Sequence, residues 1–448
     1  MVASAAALGG FLFGFDTAII NGTVTALRKY FSADSVQIGL AVSLALVGSA
    51  IGAFFAGRLA DRIGRLKVMM WASVAFSLSA IGSGAPFGLV DFILWRALGG
   101  VAVGAASVIA PAYIAEVSPA HKRGRLATLQ QLAIVVGIFV ALLLNYVIAQ
   151  SAGSAENPWL FGLEAWRWMF WSELPVAVLY GVVAFMIPES PRFLVARGRD
   201  EEAKQVLERV GSTDDVAEIK RTVAQQTKPS LSDLKGKALG LLPIVWVGIG
   251  LAALQQLVGI NVIFYYSSVL WRAVGFSESD ALAITVITGA TNIVTTFVAI
   301  AYVDKFGRKP LLLIGSIGMA LMLGALAIIF ETAPVGADGA PDLAGTIGIV
   351  ACIMANVYVF CFGFSWGPVM WVMLGEMFNN RIRGSALAVA GAVQWGANFL
   401  VSTTFPPMLD FAGLGFSYGM YTFWALISIV FVMKYVHETK GMTLEQMK

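Results

Sequence analysis

Residues 255–266 read QQLVGINVIFYY and lie inside a long apolar segment that extends from about residue 241 to residue 270. An amide buried in an apolar medium without a hydrogen-bond partner costs several kcal/mol, so these side chains are expected to face a bundle interior or a watery cavity. On a helix, Gln256, Asn261 and Tyr265 share roughly one face, and Gly259 lets another group approach the backbone. Neutral amides and a phenol suit a neutral ligand rich in hydroxyl groups, since each amide both donates and accepts hydrogen bonds. Hydrogen bonding between helices is the alternative for a single amide, but the cluster favours a ligand site.

The composition is typical of a membrane protein. Of the 448 residues, 58% are hydrophobic and 13% are charged, and the mean hydropathy is +0.79. The net charge of +3 comes from bases dispersed among loops, which argues against nucleic-acid binding. Cys352 and Cys361 lie in an apolar run and are expected to be buried thiols rather than a disulfide or a metal site. Nothing in the sequence resembles a catalytic triad, a phosphate-binding loop or a metal site, so we expect neither an enzyme nor a cofactor.

Apolar runs long enough to cross a bilayer, at about 20 residues each, predict twelve spans. They lie near residues 2–22, 36–59, 66–87, 90–114, 126–150 and 166–187, and again near 240–270, 280–303, 309–331, 345–375, 383–405 and 416–436. The fold class is therefore an all-α membrane protein with twelve transmembrane helices. The predicted domains are an N-terminal six-helix half (1–187), a cytoplasmic helical linker (188–237), a C-terminal six-helix half (238–436) and a cytoplasmic tail (437–448).

The distribution of lysine and arginine predicts the orientation. Bases flank the loops between spans 2 and 3, 4 and 5, 8 and 9, and 10 and 11, whereas the opposite loops are richer in acids. Both termini and the 188–237 segment are therefore expected in the cytoplasm. Arg28 and Lys29, between spans 1 and 2, are a mild exception to this rule.

The two halves repeat each other. GRLADRIGR at 57–65 is echoed by DKFGRK at 304–309, and EVSPAHKRGR at 116–125 is echoed by EMFNNRIRG at 376–384. Repeats of this kind place a binding site where two related halves meet.

These motifs resemble those of the sugar porters of the major facilitator superfamily. Four further stretches share the resemblance: PESPR at 188–192, residues 255–266, GPVMW at 367–371 and ETKG at 438–441. The resemblance covers essentially the whole chain and is strongest to bacterial proton-coupled glucose transporters. It implies the major facilitator fold and a proton-coupled monosaccharide symporter, with D-glucose as the expected substrate, that imports sugar by alternating access. The alternatives are a passive uniporter, a symporter for galactose, xylose or a polyol, and a non-transporting sugar sensor. The expected setting is the plasma (inner) membrane, with sugar, a proton and the lipid bilayer as partners and a monomer as the assembly.

The resemblance also implies a set of sugar ligands, most of them in the second half. Amides read sugar hydroxyls, and an indole packs on the apolar face of a pyranose ring. The implied ligands are Gln131, Gln255, Gln256, Asn261, Tyr265, Asn292, Trp371, Gln394 and Trp395.

Asp16 and Arg96 are ionisable groups within the first and fourth spans, where such groups are functional candidates. The resemblance places them face to face and assigns proton coupling to them; a static ion pair is the alternative. Arg96 stabilises the Asp16 carboxylate, so a change in their separation would couple proton uptake and release to the transport cycle.

The charged loop motifs help to set the orientation of the spans in the membrane. The resemblance implies that they also form a cytoplasmic gate. Isolated exposed ion pairs contribute only about 0–1 kcal/mol each, so a gate requires a network. The implied members are Asp61, Arg65, Glu116, Arg123, Glu189, Arg192, Asp304, Arg308, Glu376 and Arg383.

Overall fold

A computed structural model describes residues 2–118, 123–210, 216–224, 231–334, 343, 345–378 and 382–439. Within these ranges the side chains are described except at 2–5, 123–128, 222–224, 237 and 304. The packing divides the chain into two compact units: Met1–Ala26 with Leu44–Lys228, and Leu27–Ser43 with Pro229–Lys448.

The described residues of the N-terminal part form eight α-helices. They are α1 (Val2–Ile19), α2 (Val24–Tyr30), α3 (Ser35–Ile63), α4 (Arg65–Gly84), α5 (Leu89–Val117), α6 (Arg123–Ala152), α7 (Ala165–Trp171) and α8 (Leu174–Met186). Small residues let α1 and α6 approach closely, as is common between membrane helices. A Cβ on Gly14 would lie 1.9 Å from the carbonyl oxygen of Ile134, so this position admits only glycine.

The described residues of the polar segment after α8 form three short α-helices and a strand: α9 (Pro191–Ala196), α10 (Asp200–Val210), α11 (Val216–Ala224) and β1 (Lys235–Ala238). Leu194, Val195 and Ala203 form a small apolar core, against which Val216 and Ile219 pack. The domain boundaries at 187/188 and 237/238 remain predictions.

The C-terminal part forms α12 (Pro243–Leu257), α13 (Ile260–Ala273), α14 (Glu278–Phe306), α15 (Arg308–Glu331), α16 (Thr346–Phe364), α17 (Trp366–Met377) and α18 (Arg383–Tyr435). At 53 residues, α18 would be about 80 Å long, more than twice the hydrocarbon core of a bilayer. Gly413 interrupts it with a left-handed φ of 78°, so α18 provides two spans.

The described residues contain ten helices long and apolar enough to cross a membrane, α18 being counted once. The helix pair Ala6–Gly22 and Val24–Tyr30, bent by 56°, provides another. With both parts of α18 the total is twelve, and the predicted all-α membrane fold is confirmed.

The sequence analysis placed Gln256, Asn261 and Tyr265 on one face of a single continuous helix. In the structure, the seventh span is broken between these residues. That assumption is wrong: α12 ends at Leu257, α13 begins at Ile260, and Gly259 between them has a φ of 82°. A Cβ there would lie 2.7 Å from the ring of Tyr421, so glycine serves both the conformation and the packing. The hydroxyl group of Tyr358 donates to the Val258 carbonyl oxygen at 2.7 Å.

Residues 27–43 pack with the second unit. Arg28 Nη2 lies 2.7 Å from Asp410 Oδ2, and the hydroxyl group of Thr403 donates to that of Ser43 at 2.6 Å. At Gly39 a Cβ would come within 2.5 Å of the Thr403 carbonyl oxygen, so the two backbones lie very close. The charge of Arg28, an exception to the predicted charge pattern, is thus paired with an acid.

Candidate functional site

The amide side chains in the 255–266 stretch form, with Gln394, a continuous chain of hydrogen bonds in the second unit, centred on Gln255. Its Oε1 accepts from Gln256 Nε2 at 3.2 Å and from Gln394 Nε2 at 2.8 Å. Gln256 Oε1 accepts in turn from Asn261 Nδ2 at 2.5 Å. Gln255 and Gln256 are buried, whereas Asn261 and Gln394 are half-buried. We call Gln255, Gln256, Asn261 and Gln394 the amide track.

Two breaks in helices position this track. The Gly259 break separates Asn261 on α13 from Gln256 on α12, yet leaves their side chains in contact. The other break, at Ser365 between α16 and α17, has a φ of −120° and a ψ of −92°. Gln255 Nε2 donates to the Trp366 carbonyl oxygen at 2.9 Å, in the first turn after that break.

A second polar cluster extends from Tyr265, one turn beyond Asn261 on α13. Asn398 on α18 donates to the Tyr265 hydroxyl oxygen at 3.4 Å and accepts from Ser402 Oγ at 3.1 Å. The sequence analysis missed Asn398, although it lies one helical turn after Gln394, on the same face of α18. That spacing could have identified it.

The other sequence-predicted ligands take varied positions. Asn292 on α14 and Trp395 on α18 are half-buried, and Trp371 on α17 is 41% exposed. Gln131 belongs to the first unit and is exposed on α6. Its neighbour Gln130 is buried, and neither of its amide atoms has a hydrogen-bond partner among the described residues.

Asp16 and Arg96 form a buried ion pair in the first unit. Arg96 Nη1 donates to Asp16 Oδ1 at 2.7 Å, and Nη2 donates to the Asp16 backbone oxygen at 3.0 Å. The side chains are 1% and 3% exposed, respectively. The guanidinium carbon lies 5.7 Å from the centre of the Phe170 ring. A charge at this depth depends on its partner, because an unpaired buried ion is strongly destabilising.

Glu173, at the junction between α7 and α8, is a third buried ionisable group, in addition to Asp16 and Arg96. It is 1% exposed and interacts electrostatically with Asp16 and Arg96. Neither carboxyl oxygen has a hydrogen-bond donor among the described side chains. The sequence analysis missed Glu173, although an acid inside the predicted span 166–187 meets the criterion that was applied to Asp16.

The predicted gate residues of the first unit form a network centred on Glu116. Its Oε1 accepts from Arg65 Nη2 at 2.9 Å, and its Oε2 accepts from Ser190 Oγ at 2.5 Å. Glu189 accepts from the backbone N–H of Arg65 at 3.1 Å, as an anion stabilised at the N-terminus of α4. Asp61 lies 3.1 Å from Arg65 but is 71% exposed, so it contributes little.

The same network recurs in the second unit, as the sequence repeat implies. Glu376 accepts from Arg308 Nη2 at 2.8 Å and from Thr439 Oγ1 at 2.6 Å. Glu438 accepts from the backbone N–H groups of Arg308 and Lys309 at the N-terminus of α15, both at 3.0 Å. Each network therefore joins a helix N-terminus to the segment that follows the last span of its half.

Four predicted gate residues lie outside these contacts. Arg383 donates from Nε to the Phe378 carbonyl oxygen at 3.3 Å. Arg192 lies half-buried in the first turn of α9, and among the described residues no hydrogen bond or ion pair joins it to either network. The side chains of Arg123 and Asp304 lie outside the described residues.

Three comparisons with known proteins agree. Residues 2–448 match the family described as Sugar (and other) transporter. The chain is 65% identical to a glucose transport protein of Synechocystis sp., over 100% of this chain and 96% of that protein. It is 39% identical to the D-xylose-proton symporter of Escherichia coli K12, over 99% and 94%. The inward open structure of the xylose transporter XylE from E. coli matches with a TM-score of 0.85 at 36% identity, covering 100% of this chain and 98% of that one. The chain therefore belongs to the sugar transporter family of the major facilitator superfamily and is a multi-pass membrane transporter.

Proposed function

We propose that this transporter is a proton-coupled symporter for a monosaccharide, with D-glucose as its substrate. The observation that carries the coupling is the buried Asp16–Arg96 ion pair, because a passive carrier of a neutral sugar has no need of an ionisable pair at this depth. Glucose is favoured by the 65% identity to a glucose transport protein, and proton coupling by the similarity to a xylose-proton symporter.

The amide track is the proposed sugar-binding element. Its members donate to and accept from one another, so a sugar hydroxyl can enter the same pattern of hydrogen bonds. The Oδ1 of Asn261 and the Oε1 of Gln394 take no part in the hydrogen bonds of the track, so a sugar hydroxyl can donate to them. Tyr265, Asn292, Trp371, Trp395 and Gln131 complete the proposed set.

In the proposed mechanism, proton binding depends on the distance between Asp16 and Arg96. When Arg96 lies next to Asp16, its positive charge stabilises the ionised form of the Asp16 carboxyl group. Separated from it, the same carboxylate would be an unpaired buried ion, so a proton binds as the two move apart. Glu173 provides a second carboxyl group beside the pair that can hold a proton. Alternating access between the two faces of the membrane would then link this step to sugar release.

The two charged networks around Glu116 and Glu376 are the proposed cytoplasmic gate. Each fixes loop ends to helix N-termini within its own unit, so each unit keeps a rigid cytoplasmic surface during the cycle. This assignment goes with the proposed orientation, in which both termini are cytoplasmic and the protein is a monomer in the inner membrane.

Purified protein in proteoliposomes tests the function. Uptake of labelled glucose, galactose, xylose and a polyol is measured with and without an inward proton gradient. We expect glucose to accumulate only when the gradient is present. Equilibration without accumulation would instead identify a uniporter, and preference for another solute would change the substrate.

A further inference from the structure

The loop between α6 and α7 carries an exposed apolar tip that the transport mechanism does not use. Residues 158–164 read PWLFGLE and close into a tight turn, with Pro158 bridged to Glu164 and the Trp159 N–H donating to the Leu163 carbonyl oxygen at 2.8 Å. Leu160 is 44% exposed, Phe161 91% and Leu163 37%. We call these three residues the loop tip.

The exposed position of the loop tip requires an unfavourable backbone conformation. Phe161 has a left-handed φ of 56° and ψ of 21°, a conformation that costs a non-glycine residue on the order of 1–3 kcal/mol. Its ring faces that of Trp168, with centroids 6.0 Å apart and an angle of 28° between the planes, yet most of its surface stays uncovered. The fold therefore presents an aromatic ring to its surroundings instead of burying it.

The loop tip lies where a membrane span begins. Glu164 directly precedes the span Ala165–Met186 and pairs with Arg167 at 2.6 Å. Trp168 also contacts Trp159 and Trp171, with centroids 6.0 and 5.0 Å apart. Tryptophans concentrate at the boundary between hydrocarbon and headgroups, and a paired arginine can keep its charge at that level.

A second exposed ring lies at the same end of the unit. Arg167 Nη1 donates to the Gly84 carbonyl oxygen at 3.0 Å, which ties the first turn of α7 to the last residue of α4, where the loop between α4 and α5 begins. Phe87 in that loop is 99% exposed. Two neighbouring loops thus both project large apolar side chains beside the start of a membrane span.

We propose that the loop tip, together with Phe87, inserts into the adjacent phospholipid leaflet at the boundary between headgroups and acyl chains. The occupant is lipid because the loop tip directly precedes the membrane span Ala165–Met186 and residues 157–163 carry no charge. Insertion would remove the exposed rings from water and fix the depth of α7, which leads directly into Glu173. The inference does not depend on which solute is carried.

Fluorescence quenching in vesicles tests the insertion. Cys352 and Cys361 are replaced by alanine, and a cysteine at Leu160→Cys or, separately, Phe161→Cys is labelled with an environment-sensitive fluorophore. Leu160→Cys keeps the strained phenylalanine, so the test does not depend on one variant folding. The matched control is Asn157→Cys, an exposed polar position at the base of the same loop. The protein is reconstituted in phosphatidylcholine–phosphatidylglycerol vesicles, with phospholipids spin-labelled near the headgroup as one quencher and iodide as the other.

We expect lipid quenching at 160 and 161 several-fold stronger than at 157, and iodide quenching correspondingly weaker. Iodide quenching at 160 and 161 equal to that at 157, without lipid quenching, would place the loop tip in water and overturn the proposal. Shielding from both quenchers would also overturn it, because a protein surface, such as a second copy of the chain, would then cover the loop tip.

Discussion

Replacing Asp16 by asparagine should abolish concentrative sugar uptake while leaving sugar exchange intact. Asparagine keeps the volume of the side chain, and its Oδ1 can still accept the 2.7 Å hydrogen bond from Arg96. The bond from Arg96 to the Asp16 backbone oxygen, at 3.0 Å, does not involve the side chain. The amide cannot take up and release a proton, so the coupled step is lost.

The size of the effect follows from the charge that is moved. A neutral sugar with one proton carries one charge, which is worth about 2.3 kcal/mol per 100 mV of membrane potential. At about 1.4 kcal/mol for each tenfold, this corresponds to roughly fifty-fold accumulation in the wild type. The variant should equilibrate at about one-fold, since its only driving force is the sugar gradient itself.

Stability provides an internal check on this argument. Removing one partner of a buried ion pair costs about 3–5 kcal/mol when the other charge is left uncompensated. In Asp16→Asn the guanidinium of Arg96 keeps acceptors in Oδ1 and the backbone oxygen of residue 16, and Glu173 remains as an acid that interacts with it electrostatically. We therefore expect Asp16→Asn to fold, and the double variant Asp16→Asn/Glu173→Gln to show a markedly lower Tm.

Proteoliposomes with an imposed potential and an inward proton gradient measure accumulation, and counterflow of labelled glucose measures exchange. Glu208→Gln, an exposed acid on α10, is the control and should behave as the wild type. Accumulation of glucose by Asp16→Asn under the same gradient would refute the reasoning.

Three further predictions concern the amide track, the network around Glu116 and the residue 27–43 segment. Gln256→Ala removes a donor and an acceptor from the track, so glucose affinity measured by calorimetry should fall at least tenfold; unchanged affinity in the folded variant would exclude Gln256 from the site. Arg65→Ala should slow uptake and lower Tm far more than Asp61→Asn, whose pair is exposed; equal effects would contradict the central role of Arg65. Arg28→Glu should slow uptake through repulsion with Asp410, and adding Asp410→Arg should restore it; a double variant no faster than the single would show that the pair has no role in transport.

Much of this architecture could be predicted because a lipid bilayer restricts which structures a chain can form within it. The twelve spans follow from the length of apolar runs. The cost of a charge among lipids marks Asp16 and Arg96 as functional candidates, and the family resemblance pairs them. The break at Gly259 could not be predicted from local sequence, since the ring that packs against it belongs to Tyr421, more than a hundred residues away. Tertiary packing of this kind decides which glycine bends a helix and which merely allows close contact.

The site was predictable in its chemistry but not in its connections. Gln255, Gln256, Asn261 and Gln394 were predicted as separate ligands, and only the structure shows that they bond to one another. The bond from Asn261 to Gln256 crosses the break at Gly259, which no proline marks.

The ion pair between Arg28 and Asp410 also bears on biosynthesis. The two residues are 382 positions apart in the chain. At about 5–20 residues per second, a ribosome needs on the order of tens of seconds to produce Asp410 after Arg28 has emerged. During that interval residues 27–43 lack the α18 surface on which they finally pack. One of the first segments to enter the membrane is therefore among the last to reach its native position, and a chain truncated before α18 would leave a cation and a close-packing glycine surface without partners.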